Sequence, residues 1–342
     1  MNELQEPARV PMPDPDPHLD SPPGTAGREA ASPHRIPREG WFDVLVRLWR
    51  SLKDHEIGLI SAGVAYFAFT GFFPALAALV SLYGLVADPV QIEESLDFAD
   101  TALPQEIKDL ILTELERFTD NRVAGPAAII ASLIAIWSGS KSMAAFMKGL
   151  NIVYREKEER GLVASKLVAL GLTAGAILFA ACLIAMLGVL PALLSHFIDQ
   201  TWIKTGLHLV RWPVLFLIIT FALSVLYRFG PSRANARWEW ISGGALLGAG
   251  LILGLSLFIS LFLSEVTDYS KTYGSLGAVV ALLLWFYFTA TAVMLGGMLN
   301  AEMELQTRVD STTGPPEPFG DRGAFVADHL GESRKDTDHG ES

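Results

Sequence analysis

Six stretches of this 342-residue chain contain no Asp, Glu, Lys or Arg: 57–87, 123–140, 167–195, 212–227, 240–264 and 272–301. A helix needs about 20 mostly apolar residues to cross a bilayer core of about 30 Å. Four of the runs exceed that length and two fall slightly short of it. Only 18% of the residues are charged, against about 25% in an ordinary soluble domain. An outer-membrane barrel is excluded as well, because its strands are about 10 residues of alternating polarity. The pattern predicts an all-α, polytopic membrane protein: a bundle of six transmembrane helices with short interfacial amphipathic helices. The expected spans are 57–87, 123–140, 167–195, 206–227, 240–264 and 272–301, with the fourth extended toward Gly206 and Arg211 or Arg228 snorkelling to a headgroup region.

The segments outside the spans read differently. Residues 1–40 hold nine of the nineteen prolines and few large apolar side chains, so they are expected to be a disordered tail that cannot offset its ordering entropy. Residues 305–342, with eight acids and four bases, are expected to be a second disordered tail. Trp41, Val44, Leu45, Leu48 and Leu52 fall at helical spacing with Arg47, Arg50 and Lys53 on other faces, which suits an interfacial helix. Lys141 to Arg160 repeats that pattern, with Met143, Phe146, Met147, Leu150 and Tyr154 as its apolar stripe. Residues 88–122 carry ten acids and three bases, and Ile107, Leu110, Ile111, Leu115 and Phe118 mark an amphipathic cap or an acidic funnel on the outer face.

Orientation follows from the positive-inside bias. With both termini in the cytoplasm the inner connections and helix ends hold fifteen Lys and Arg and the outer ones six. The net charge of −11 resides in the two tails and the 88–122 segment. No segment offers the basic patch that nucleic acid would need, so membrane lipids are the expected partners, and a homo-oligomer is compatible with the sequence.

Chemistry has few candidates. The runs contain no ionisable carboxylate or amine, which weakens a proton-pump reading. Pro74 falls mid-run and predicts a kink or a break in the first span, with Ser61, Tyr66 and Thr70 either satisfying it or lining a path. Ser140 closes the second span, and Asn151, Arg228, Tyr273, Asn300 and Glu302 are further polar groups near helix ends. Glu302 reads either as an ordinary interfacial carboxylate or as a buried partner for Arg228 or Lys141. Cys182 lies alone in an apolar run, and the histidines share no metal-ligand spacing. The catalytic signatures of phosphate loops, zinc hydrolases and serine hydrolases are missing, so neither a cofactor, a metal nor a catalytic set is expected. Gly171/Gly175, Gly244/Gly248 and Gly250/Gly254 are spaced for close helix contact.

Several short motifs occur in a fixed order. They are Ala62-Gly63-Val64-Ala65-Tyr66-Phe67 with Phe72-Phe73-Pro74, Trp137-Ser138-Gly139-Ser140, and Gly149-Leu150-Asn151 with Tyr154. Leu226-Tyr227-Arg228-Phe229-Gly230-Pro231, Tyr273-Gly274-Ser275-Leu276-Gly277-Ala278-Val279 and Leu299-Asn300-Ala301-Glu302 follow. Through these motifs the chain, from Trp41 to about Glu304, resembles the YihY/virulence factor BrkB family of bacterial inner-membrane proteins, formerly called ribonuclease BN. It departs from the G-A-E-L-N-A pattern of that family by placing Met298 where the acid stands, which leaves any role of that acid to Glu302 or Glu304. The resemblance implies six spans and a part in transport or envelope maintenance. Together these readings suggest a transporter or lipid-handling permease for a small molecule or lipid, with a non-transporting membrane scaffold as the alternative. A ribonuclease is the distant third, because its metal-assisted chemistry would need clustered histidines and carboxylates.

Overall fold

The computed structural model describes residues 26–54, 56–83, 126–184, 201–265 and 275–332. Its helices are α1 (Arg38–Asp54), α2 (Ile57–Tyr83), α3 (Pro126–Val153), α4 (Leu162–Ile184), α5 (Thr201–Phe229), α6 (Trp238–Glu265), α7 (Ser275–Glu304) and a single turn, α8 (Phe325–Asp328). Among the described residues there is no β-strand beyond one isolated bridge between Ala236 and Thr312. Four stretches are long and apolar enough to cross a membrane: Leu162–Phe179, Trp212–Phe229, Trp238–Ile259 and Val279–Glu304. Ile57–Phe72 is a shorter apolar stretch of α2.

The neighbours run in the order α4, α3, α2, α7, α6, α5, and α4 touches α5 only slightly. The apolar core lies at the end of the bundle where α3, α5 and α7 finish and α6 begins. It joins Leu150, Val153, Leu223, Tyr227, Ile241, Ala245, Ala249, Val293, Met294 and Met298. In hydrocarbon, water exclusion contributes little between helices, so close approach and internal hydrogen bonds must hold such a core. Gly244 shows how: a Cβ there would collide with the Gly296 carbonyl and with Asn300 Oδ1. Tyr227 Oη donates to the Val293 carbonyl at 2.8 Å. Of the three expected glycine pairs, only Gly244/Gly248 sits at a tight crossing; Gly171, Gly175 and Gly254 face open space.

Four sequence expectations need correction. The second span does not end at residue 140: α3 continues unbroken to Val153. No glycine or proline interrupts 140–148, and Met147 and Leu150 supply a buried stripe, so the apolar half of the expected interfacial helix is fused to the span. Of the kink or break expected at Pro74, the break is not formed, since α2 runs through that position. On α1, Leu45 does not share the covered stripe; Phe42, Leu45 and Trp49 are exposed together, whereas Val44, Arg47 and Ser51 are buried.

The largest difference is at the chain ends, where residues 26–40 and 305–332 are folded. Arg28 donates to the carbonyls of Leu305 (3.4 Å) and Gly331 (2.8 Å), and Thr307 Oγ1 donates to the Ala30 carbonyl at 2.7 Å. The backbone of Arg237 donates to Ser311 and that of Thr313 to Asn235, both at 2.8 Å. Val326, Ala327 and Leu330 are buried beneath this layer. Composition alone missed the order because charges that suggest a solvated tail, Arg28, Asp310 and Arg322 among them, are bonded to specific backbone groups. The 88–122 segment and residues 1–25 and 333–342 lie outside the described residues.

Candidate functional site

The polar candidates separate into a cluster at the end of the bundle where the folded chain ends pack and a face of α2. In the cluster, Glu302 occupies the last turn of α7 with its side chain 3% exposed. Arg47 donates to Glu302 Oε2 at 2.8 Å, to the Glu302 carbonyl at 2.9 Å and to Gln306 Oε1 at 2.8 Å. Ser51 donates to Glu302 Oε1 at 2.8 Å, and Arg155 lies 3.6 Å from the same oxygen. The partners of Glu302 are thus Arg47 and Arg155, rather than the expected Arg228 or Lys141. The signal for Arg47 was present in the sequence: Val44, Arg47 and Ser51 are spaced i, i+3, i+7 and share one helix face.

Two residues later Glu304 accepts from Arg233 at 3.0 and 2.6 Å and from Ser311 at 2.6 Å. Both charged side chains are almost wholly buried. Burial alone would lower the Arg233 pKa, but the Glu304 carboxylate raises it. Tyr154 packs beside the pair, with the Arg233 guanidinium 5.0 Å from its ring centre. Burial, reinforced by Glu304, pushes the Tyr154 phenol well above its ordinary value, against the opposing influence of Arg233 and Asn300. The phenol is nevertheless without a partner in hydrogen-bond geometry, so the Asn300 amide is near it but not bonded to it.

Asn300, a sequence candidate, is fully buried. Its Oδ1 accepts from the Gly244 N–H at 2.7 Å and its Nδ2 donates to the Ile241 carbonyl at 3.1 Å. Asn151 accepts from the Ser232 N–H at 2.7 Å and donates to Glu158 at 3.0 Å. Burial would raise the Glu158 pKa, but bonds from Arg160 and Asn151 hold it below the usual carboxylate range. Arg228 donates to the Ala236 carbonyl at 2.6 Å and lies 4.8 Å over the Trp238 ring. Asn151 and Arg228 therefore tie helix ends to their connections, and Asn300 ties α7 to the first turns of α6. Because the buried carboxylates of Glu302 and Glu304 are both neutralised by arginine, this cluster acts as a lock between α1, α7 and the folded chain ends.

The second group sits on α2. Tyr66 is 62% exposed, and Thr70, also exposed, donates to the Tyr66 carbonyl at 2.8 Å. Ser61 is on the opposite, buried side with no hydrogen-bond partner for its hydroxyl. Ser140 is on the neighbouring helix and donates to the Trp137 carbonyl at 2.7 Å. The Pro74 side chain and Tyr273 lie outside the described residues. Among the described residues no group of three or more His, Cys, Asp or Glu is placed to hold a metal ion.

The model of the virulence factor BrkB family matches residues 48–319, which takes in the α2 group, Glu302 and Glu304, and begins one residue after Arg47. The chain belongs to that family. It is 28% identical over 261 residues to a protein of Bacillus subtilis named as ribonuclease-like YfkH, covering 75% of this chain and 94% of that one. It is also 22% identical over 270 residues to a UPF0761 membrane protein of Methylibium petroleiphilum and 25% identical over 266 residues to one of Xanthomonas campestris. These alignments cover 76% and 75% of this chain, and the chain spans only 62% and 59% of the two UPF0761 proteins. No solved structure matches the chain. In this family member Met298, standing where the acid of the G-A-E-L-N-A pattern is expected, is buried in the apolar core.

Proposed function

We propose that this chain is a six-span protein of the bacterial inner membrane, with both ends cytoplasmic, that moves or hands on a lipid or small molecule without an ATPase of its own. The observation carrying this reading is the uncovered face of α2. An exposed phenol and an exposed hydroxyl, Tyr66 and Thr70, lie within a 27-residue helix whose other residues are apolar or small. Leaving a phenol O–H unpaired in hydrocarbon is costly, on the order of 2–7 kcal/mol for a hydroxyl. A polar face of this kind is expected where water or a polar headgroup passes.

The locked inner end fits a scaffold as well as a closed state of a permease, since its described core is filled by side chains. The ribonuclease-like name of the Bacillus relative finds less support: the buried carboxylates Glu302 and Glu304 are held by arginines rather than grouped with histidines. Flux of labelled lipid and of small solutes in proteoliposomes tests the transport reading. Movement above the rate of empty vesicles, slowed at least several-fold by Tyr66→Phe with Thr70→Val, is the expected result. No movement in the folded wild-type protein would favour the scaffold.

A further inference from the structure

α3 carries two lysines where a spanning helix is not expected to have them. Lys141 and Lys148 lie inside the unbroken helix Pro126–Val153, and both are exposed. Spaced seven residues apart, they fall on one face, two turns from each other. The depth of Lys141 follows from its neighbours. A Cβ on Gly139 would lie 3.1 Å from Thr173 Cγ2, and Thr173 is well inside the apolar stretch Leu162–Phe179. Lys141 is two residues further on, about 3 Å along the axis. Toward the inner end, Leu150 meets the positions of Gly230 and Gly297, where the apolar stretch of α5 ends and that of α7 nears its end. Nine residues separate Lys141 from that level, about 13 Å, farther than a lysine stem reaches. The ammonium does not lean that way. It lies 3.7 Å from the ring centre of the exposed Trp137, one turn deeper.

The antiparallel packing of α2 on α3 fixes what stands at this height. Gly71 faces Ser138 and Ile60 faces Gly149, so position 68 is opposite Lys141. Tyr66 and Thr70, the exposed hydroxyl groups of α2, flank that position. Winding both right-handed helices from these contacts brings their uncovered faces to the same side of the pair. Among the described residues no acid is within ion-pair distance of Lys141 or Lys148. Neither α2 nor α3 contains an acid, so a second copy placed on this face would set lysine against lysine.

We propose that Lys148, Lys141 on its Trp137 platform, and the Tyr66 and Thr70 hydroxyls form a track for the phosphate of an anionic phospholipid. Charge complementarity selects the occupant: two cations with no acid in reach among the described residues step from the inner end into the apolar layer on a face open to lipid, beside hydroxyls that can bond phosphate oxygens. The proposal rests on the transport reading given above for Tyr66 and Thr70 and names the substrate class of that face.

Spin-labelled phosphatidylglycerol and phosphatidylcholine in vesicles holding the full chain provide the test, with the protein-bound lipid fraction read by electron spin resonance. The wild-type protein is expected to prefer phosphatidylglycerol by about fivefold per lysine, the factor that one cation near an anionic headgroup contributes. The preference should vanish in Lys141→Gln/Lys148→Gln, persist in Lys141→Arg/Lys148→Arg, and persist in the α1 pair Arg50→Gln/Lys53→Gln. An unchanged preference in the α3 glutamine variant overturns the proposal, as does an equal loss in the α1 variant. A dimer that covers these lysines from crosslinking also overturns it. Binding without flux would fail the transport reading alone, whereas flux without the lysine-dependent preference would fail the headgroup track alone.

Discussion

Arg47→Met removes the cation that Glu302 depends on, and the structure sets the size of the effect. The wild-type guanidinium makes three bonds to α7 and to Gln306 at 2.8–2.9 Å, and a fourth at 3.1 Å to the Glu332 carbonyl. Methionine keeps the stem volume and loses all four. Glu302 is then left buried with Ser51 and with Arg155, which is 39% exposed and 3.6 Å away. Removing one partner of a buried pair costs about 3–5 kcal/mol; the residual Arg155 places this case near about 3 kcal/mol. At about 1–2 °C per kcal/mol, from the per-residue entropy of unfolding for a chain of 342 residues, the apparent Tm in one fixed detergent should fall by roughly 3–6 °C. Arg47→Met combined with Glu302→Gln removes the stranded charge and should recover part of that loss, because neutral replacements of buried pairs are tolerated. Thermal melts of the four proteins, followed by intrinsic fluorescence, measure the coupling. A shift below about 2 °C for Arg47→Met, or a double variant as impaired as the sum of the single ones, would refute the buried-pair argument.

Gly244→Ala should destabilise by about 1–3 kcal/mol, because its Cβ meets the Gly296 carbonyl and Asn300 Oδ1, whereas Gly171→Ala, facing open space, should leave the melt unchanged. Asp310 holds the Thr312 N–H, the Thr312 hydroxyl and the Glu317 N–H at 2.9, 2.7 and 3.1 Å. Burial opposes its ionisation, but these bonds keep its pKa below the ordinary 3.8. Its stabilising effect is therefore full above that ordinary value and lost as pH falls through the lowered one, so the hydrogen-exchange protection factors of the Thr312 and Glu317 amides, corrected for intrinsic exchange, should fall only in acid, and Asp310→Asn should abolish that pH dependence. Arg155→Gln, removing a half-exposed partner, should cost no more than about 1 kcal/mol in the same melts. Truncation after Leu305 should lower the apparent Tm far more than truncation after Glu332, because only the former removes Gln306, Ser311 and Gly331 from their bonds.

Much of the bundle was legible in its charge-free runs. A span announces itself through the solvent it avoids: α6 and α7 begin and end within three residues of their runs, and α5 finishes two residues past its own. The boundary of α3 was not legible, because Lys141 imitates a membrane edge when the only criterion is charge. The absence of glycine and proline from Ser140 to Lys148 was the competing signal, and packing of Leu150 against Met294, Met298 and Gly297 of α7 decided for it. The folded ends were hidden for a related reason. Pro and charge content measures average solvation, whereas Arg28, Asp310 and Arg322 are each bonded to specific backbone groups. Of the site candidates, Asn151, Asn300 and Glu302 were found as polar groups near helix ends, but their partners lie 56 to 255 residues away in sequence except for Glu158, and no local pattern marks such pairings.

Site-directed cysteine labelling in intact cells tests the arrangement of the chain across the membrane most directly. In a Cys182→Ser background, single cysteines at Glu158, Asn235 and Thr313 should react with an impermeant maleimide only after permeabilisation. Cysteines at Asp97 and Lys271 should react in intact cells, as six spans with both ends inside require. Labelling of Asp97 on the same side as Thr313, or of Thr313 in intact cells, would contradict the six-span, ends-inside membrane protein on which the proposed activity stands.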